Sequence, residues 1–181
     1  MGYLDNWRCI AAALFLTTSV VHDAVAGTLS AVINGRSYHV SATRDWNENN
    51  LGFGLQYDFD SRSRWIPSVS ANGFRDSDEQ PSYMVGASLH RRLIHSERLS
   101  GFYFDAGLTA FLMTRHDVRD NEPFPGILPT LSIGNRHVGV NLTYLPMSGV
   151  QAITRLGLVD PEMKGVFYMQ LKINMDAFLP R

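Results

Sequence analysis

Apolar side chains recur at every second position through most of this chain, and no segment carries a convincing helical stripe. A period of two places successive side chains on opposite faces of an extended backbone, so the pattern commits the chain to sheet. Phe102–Thr114 is the clearest case. Phe102, Phe104, Ala106, Leu108, Ala110 and Leu112 share one face, and Tyr103, Asp105, Gly107, Thr109, Phe111 and Met113 the other. Residues 51–59, 82–90, 138–144 and 167–174 alternate in the same way, and the shorter runs 36–43, 64–74 and 127–134 bring the expected strands to eight.

Eight is the smallest even number that closes an outer-membrane barrel, and strands near ten residues with an aromatic-rich apolar face suit a tilted membrane crossing. The opposite faces are polar and small, with Gly52, Gly54, Ser68, Ser70, Gly86, Ser88, Gly107 and Gly139 pointing one way. A barrel of this size encloses packed side chains or one small ligand, and small inward residues leave room for the ligand. The expected fold is all-β: an eight-stranded antiparallel up-and-down transmembrane β-barrel with an interior pocket.

The amino terminus reads differently. Residues 9–21 (CIAAALFLTTSVV) are apolar, preceded by Arg8 and followed by Ala24-Val25-Ala26. That is the layout of a secretory signal peptide, too short to span a membrane as a helix. Residues 1–26 are therefore expected to be a cleaved signal and 27–181 the barrel domain. Cys9, the one cysteine, lies inside the signal, so the exported part has no thiol, disulfide or cysteine metal site. Removing Arg8, Asp5 and Asp23 balances the remaining charges, and no basic stripe argues for nucleic acid. His90, His95, His116 and His137 show no metal-ligand spacing and read as lumen or surface residues; no cofactor is implied.

The connections alternate as well. Those after the even strands, residues 60–63, 93–99 and 135–136, include the shortest; those after the odd strands, 44–50, 75–81, 115–126 and 146–164, include the two longest. Barrels of the outer membrane keep short turns in the periplasm and long loops outside. That parity collects Asp76, Ser77 and Arg115 on one outer rim, toward which the first strand carries His39. Alone, Asp76-Ser77 is ordinary turn composition, and the run 115–120 reads as a mostly solvated charge cluster.

Short motifs in order from Tyr38 to Pro146 resemble the lipid A palmitoyltransferase family of outer-membrane acyltransferases, PagP. Tyr38-His39 resembles the family's Trp-His, Gly52-Phe53-Gly54-Leu55 its Gly-Phe-Gly-Leu, and Phe74-Arg75-Asp76-Ser77 its Phe-Lys-Asp-Ser. Residues 123–129 (PFPGILP) resemble its Pro-Leu-Pro-x-Leu-Leu-Pro, and Thr143-Tyr144-Leu145-Pro146 its Thr-Tyr-Ile-Pro. The resemblance implies a hydrocarbon pocket inside the barrel, a phospholipid acyl donor and lipid A of lipopolysaccharide as acceptor. It implies a monomer among outer-membrane lipids, with His39, Asp76 and Ser77 as catalytic residues. Arg115, after the fifth strand, is then placed to hold a lipid phosphate. Gly86 takes the place of a motif glycine, and Ser88 replaces a glycine that helps set acyl length. Pro129 and Pro146 match a proline-weakened gap in the wall, since proline deletes ladder hydrogen bonds. The prolines of the family's second gap would fall near Asn34 and Glu48 and are missing, and its amino-terminal helix has almost no counterpart in residues 27–35.

Acyl transfer needs a base and stabilisation of an oxyanion. His39 suits the first role; Ser77 suits a nucleophile or a hydrogen-bond donor; Asp76 suits orienting His39 or stabilising its charged form. No Gly-x-Ser-x-Gly elbow is present. A non-catalytic small outer-membrane barrel for structure or adhesion, and a soluble periplasmic lipid-binding barrel, remain the alternatives at this point.

Overall fold

The computed structural model describes residues 26–116, 118, 121–149, 160 and 162–176. Nearly all of the expected signal and residues 177–181 lie outside these. Eight strands follow in chain order: β1 (Gly27–Val40), β2 (Asn49–Phe59), β3 (Trp65–Arg75), β4 (Pro81–Ser96), β5 (Phe102–Thr114), β6 (Phe124–Gly134), β7 (Val138–Pro146) and β8 (Gly165–Asn174). Each pairs antiparallel with the next, and β8 returns to β1 to close an up-and-down barrel.

The apolar faces point outward. Leu51, Phe53 and Leu55 on β2, Tyr83, Val85 and Leu89 on β4, and Leu108 and Leu112 on β5 are all exposed. The interior is instead rich in buried polar groups, among them Ser30, Asn34, Gln56, His90, Asp105, Asn141 and Gln170. This inverts the order of a water-soluble domain, whose large apolar residues are inside.

The barrel interior has two tiers. On the long-loop side, Phe111, Val118 and Phe124 form a buried cluster packed by Met84, Met113 and Leu128. On the short-turn side the lumen is ionic: Arg92 binds Asp105 with both nitrogens at 3.0 Å, and Lys172 Nζ lies 2.9 Å from Asp58. Between them, hydroxyls run across three strands, Ser88 Oγ to Thr109 Oγ1 at 2.8 Å and Thr109 Oγ1 to Thr130 Oγ1 at 2.9 Å.

Two expectations change. β1 begins at Gly27, nine residues before the expected start, because Asn34-Gly35 looks like a turn but is a bulge in a continuous strand. The inward glycines do not simply open space: a β-carbon at Gly126 would collide with the Phe111 ring, and one at Gly54 with Asn72. Glycine there admits a neighbour's side chain, and the ligand's room must come from elsewhere.

Buried polar partners carry a measurable load. Gln170 Nε2 donates to Asn34 Oδ1 at 2.6 Å, and Asn34 is fully buried. Gln170→Ala should cost about 1–3 kcal/mol by orphaning that oxygen, read as a lower urea midpoint of the micelle-bound barrel. Leu131→Ala, on the outward face, is the comparison in the same assay.

Candidate functional site

His39 enters the lumen because of the β1 bulge. Ser30, Val32 and Asn34 point inward at every second position, and then Ser37 and His39 do. The registers with both β2 and β8 shift just after Asn34. One inserted residue thus re-aims everything beyond it; strict alternation would have turned His39 outward.

At the rim, His39 Nε2 lies 3.1 Å from Ser77 Oγ, within the reach expected of a base and the hydroxyl it activates. The imidazole is buried and stacks on Trp46, with centroids 5.3 Å apart and rings 12° from parallel. The Arg44 guanidinium packs on the same indole at 4.4 Å. Neither Trp46 nor Glu48, whose Oε1 is 4.0 Å from His39 Nδ1, was legible as a site residue. A tryptophan and a glutamate in the polar run 44–50 were the available signal.

Asp76 adjoins Ser77, but its carboxylate is engaged elsewhere. Oδ1 accepts the amides of Asp78 at 2.9 Å and Gln80 at 3.0 Å, and Oδ2 accepts Ser82 Oγ at 3.0 Å. Arg115 Nε stands 3.8 Å from Oδ2. The side chain closes its own turn, as Asp does when it caps neighbouring amides, and the turn presents Ser77. Arg115 Nη2 also binds Asp78 Oδ2 at 3.0 Å, and Arg44 takes the other oxygen of Asp78 at 3.0 Å. The 115–120 run is therefore less solvated than expected: Arg115 turns to these carboxylates and Val118 is 1% exposed. Asp117, Arg119 and Asp120 lie outside the described residues.

Below the pair lies an apolar cavity of about 220 Å³, lined by Ser77 and His39 above, by Phe74, Met84 and Phe111 on its walls, and by Ser88 and then His90 toward the short-turn side. Gly86 sits one inward position above Ser88, with its would-be β-carbon 3.5 Å from Phe111 Cβ. Pro129 and Pro146 flank a slit in the wall. The β6–β7 ladder runs from Gly134↔Gly139 to Thr130↔Thr143 and stops, although β6 continues to Phe124 and β7 to Pro146. Proline has no N–H to extend it.

A second carboxylate ties two loops over the rim. Asp160, 1% exposed, accepts the Thr43 amide at 2.8 Å, Thr43 Oγ1 at 2.9 Å, the Arg44 amide at 3.3 Å and the Glu162 amide at 3.3 Å. Burial alone would raise its pKa, but the Thr43, Arg44 and Glu162 donors outweigh it and bring the carboxyl from 3.8 down to about 2. A depressed carboxyl stabilises above its unfolded pKa and loses that effect as pH falls through the folded one. Trp46 emission, followed in a Trp65→Phe variant lacking residues 1–26, should hold steady above about pH 4 and change toward pH 2. In Asp160→Asn that transition should be absent.

The turn makes its own forecast. Asp76→Ala should speed amide exchange at Asp78 and Gln80 roughly fivefold, the loss of a cap worth about 1 kcal/mol. Asp76→Asn keeps one acceptor oxygen and should lose less, in the same exchange measurement.

Comparison with known proteins gives the barrel relatives. Residues 22–152 match the family described as antimicrobial peptide resistance and lipid A acylation protein PagP. A lipid A acyltransferase PagP from Methylobacillus flagellatus is 33% identical over 96 residues, covering 53% of this chain and 50% of the relative. Proteins of the same name from Bordetella pertussis and Bordetella bronchiseptica are 34% identical over 116 residues, covering 62% of this chain and 60% of each relative. The matches thus span half to three fifths of these curated relatives' length.

Proposed function

This chain belongs to the PagP family, and we propose that it is an outer-membrane acyltransferase moving a palmitoyl or similar long acyl chain from a phospholipid to lipid A of lipopolysaccharide. The observation that carries this reading is the 3.1 Å His39–Ser77 contact at the head of an apolar cavity beside a slit in the wall. A hydrocarbon chain entering sideways between Pro129 and Pro146 would lie among Phe74, Met84 and Phe111 with its ester at the hydroxyl. The outward apolar band suits a membrane-spanning barrel, monomeric in outer-membrane lipid.

The chemistry is an ester exchange. An oxygen attacks the donor's carbonyl carbon, its proton passes to His39 Nε2, and the carbonyl oxygen takes up the electron pair. Collapse of the tetrahedral centre breaks the bond to the glycerol oxygen, which leaves with the proton from His39. The attacking oxygen is the lipid A hydroxyl in a direct transfer. Where Ser77 attacks first, a second round of the same steps passes the chain on. Asp76 holds the turn that presents Ser77, and Arg115 exchanges its Asp78 contact for a lipid phosphate. The Ser88, Thr109 and Thr130 hydroxyls, bonded to one another, mark where the cavity lining turns polar, with Gln56 and His90 also on it. A methyl terminus that passes them gains little, because it would bury polar groups without bonding them. Ser88 in place of a glycine favours a chain at or below palmitoyl length.

Mass spectrometry of lipid A from cells with and without the gene tests this. Expression should add the mass of one acyl chain. His39→Ala and Ser77→Ala should each lower the yield by at least ~10²-fold, the lower range of general acid–base contributions, while the barrel keeps its heat-dependent gel mobility. Unchanged lipid A under strong expression, or two fully active variants, would overturn the reading.

A further inference from the structure

For Nε2 of a neutral imidazole to accept a proton, the ring must carry its own proton on Nδ1, and that proton needs an acceptor. Asp76 is spent on its turn, Ser82 and Arg115. Asp78 is held by Arg44 and Arg115, and Asp160 by Thr43, Arg44 and Glu162. Among the described residues, Glu48 is the carboxylate facing Nδ1, its Oε1 at 4.0 Å, and Nδ1 is buried with no hydrogen-bond partner in the unliganded barrel.

Glu48 is fixed there through its side chain and its backbone. Its Oε1 accepts the His39 amide at 3.4 Å and its backbone oxygen accepts the Ser37 amide at 2.9 Å. Arg36, whose Nη2 lies 3.5 Å from Oε2, is mostly exposed, and its solvent-screened pairing does little to hold the carboxylate. All of these contacts arise where the β1 bulge meets the end of β2. A distance of 4.0 Å exceeds a hydrogen bond, but such contacts are long in unliganded sites and shorten when substrate seats. Trp46, stacked on the imidazole, resists rotation of the ring away from Glu48.

We propose that Glu48 is the positioning residue of this site: it accepts the His39 Nδ1 proton and so holds Nε2 as the base facing Ser77. The tautomer assignment stands on geometry alone, whereas its catalytic consequence rests on the acyltransfer reading above.

The test separates the two. The full-length chain, with ¹⁵N-labelled histidine and exported so that any signal is removed, is placed in detergent micelles. His39 nitrogen shifts then report the tautomer, and acyl transfer is measured from dipalmitoyl phosphatidylethanolamine to lipid A in mixed micelles. Wild type should show the Nδ1–H form. Glu48→Leu, which removes the acceptor at similar volume, should lose that preference and lower kcat about 10²-fold, with KM changed less than twofold. Glu48→Asp should recover part of both readouts, and Arg36→Gln, which removes only the neighbouring cation, should keep kcat within twofold. Heat-dependent gel mobility confirms that each variant is folded. A Glu48→Leu variant with the wild-type tautomer overturns the proposal, and so does an Arg36→Gln variant as impaired as Glu48→Leu. A wild type with the Nδ1–H form but no transfer overturns the acyltransfer reading and leaves the tautomer assignment standing.

Discussion

The structure depends on the seam where the last strand returns to the first. β8 pairs with β1 from Asn174↔Ser30 to Gly165↔Val40, and with that seam made, the sheet has no edge left to satisfy. Closure also assigns every side chain to lumen or exterior, because the period of two admits no third choice. It gathers the loops after β1, β3, β5 and β7 on one rim, bringing His39 and Ser77 together across 38 residues of sequence. A sheet left open at β1–β8 would have none of these consequences, however well its individual hairpins formed.

Within the closed wall, polarity sorts by height. The apolar cluster around Phe111 lies under the long loops, whereas the short-turn end opens into a polar vestibule of about 1350 Å³. Two ion pairs line the vestibule, Arg92 with Asp105 and Lys172 with Asp58, both cations lying over the Tyr103 ring. Buried ion pairs contribute little net stability when fully desolvated, and contact with the wet vestibule lowers that penalty. Their consequence is directional. A hydrocarbon entering from the apolar end meets hydroxyls and then ions, so the lumen has one lipid-compatible end.

The architecture was legible in the sequence, while much of the site was not. Strict alternation in β5 identified its two faces residue by residue, and eight such segments implied closure. The start of β1 was hidden because the bulge after Asn34 breaks the alternation that reveals strands. That same slip directs His39 inward, so the local rule fails where the geometry is most specific. At Asp76-Ser77 the two residues part company. The aspartate does form the turn its composition implied, and the serine beside it meets the histidine. Glu48 stayed invisible because its relation to Nδ1 is set by the β1–β2 register, which no short motif encodes. The inward glycines misled in a different way: composition reports a missing side chain, but not that Phe111 or Asn72 fills the space.

The two seams beside the site differ in the way that the resemblance to the family's proline pattern implied. Near Glu48 no proline interrupts the wall. Arg36 pairs with Asn49 and the Ser37 amide bonds the Glu48 carbonyl at 2.9 Å, so β1 and the start of β2 stay joined past the bulge. Between β6 and β7 the pairing ends at Thr130↔Thr143, one position short of Pro129. Among the described residues, the wall therefore opens sideways on the β6–β7 side, opposite in sequence to the seam that carries the base. This asymmetry has a physical logic. A base needs a rigid frame to hold a proton acceptor within a few tenths of an ångström, and a seam that stays hydrogen-bonded across its bulge supplies it. An entry for lipid needs backbone that can part without orphaning buried donors, and proline removes those donors in advance. Placing both demands on one seam would compromise each.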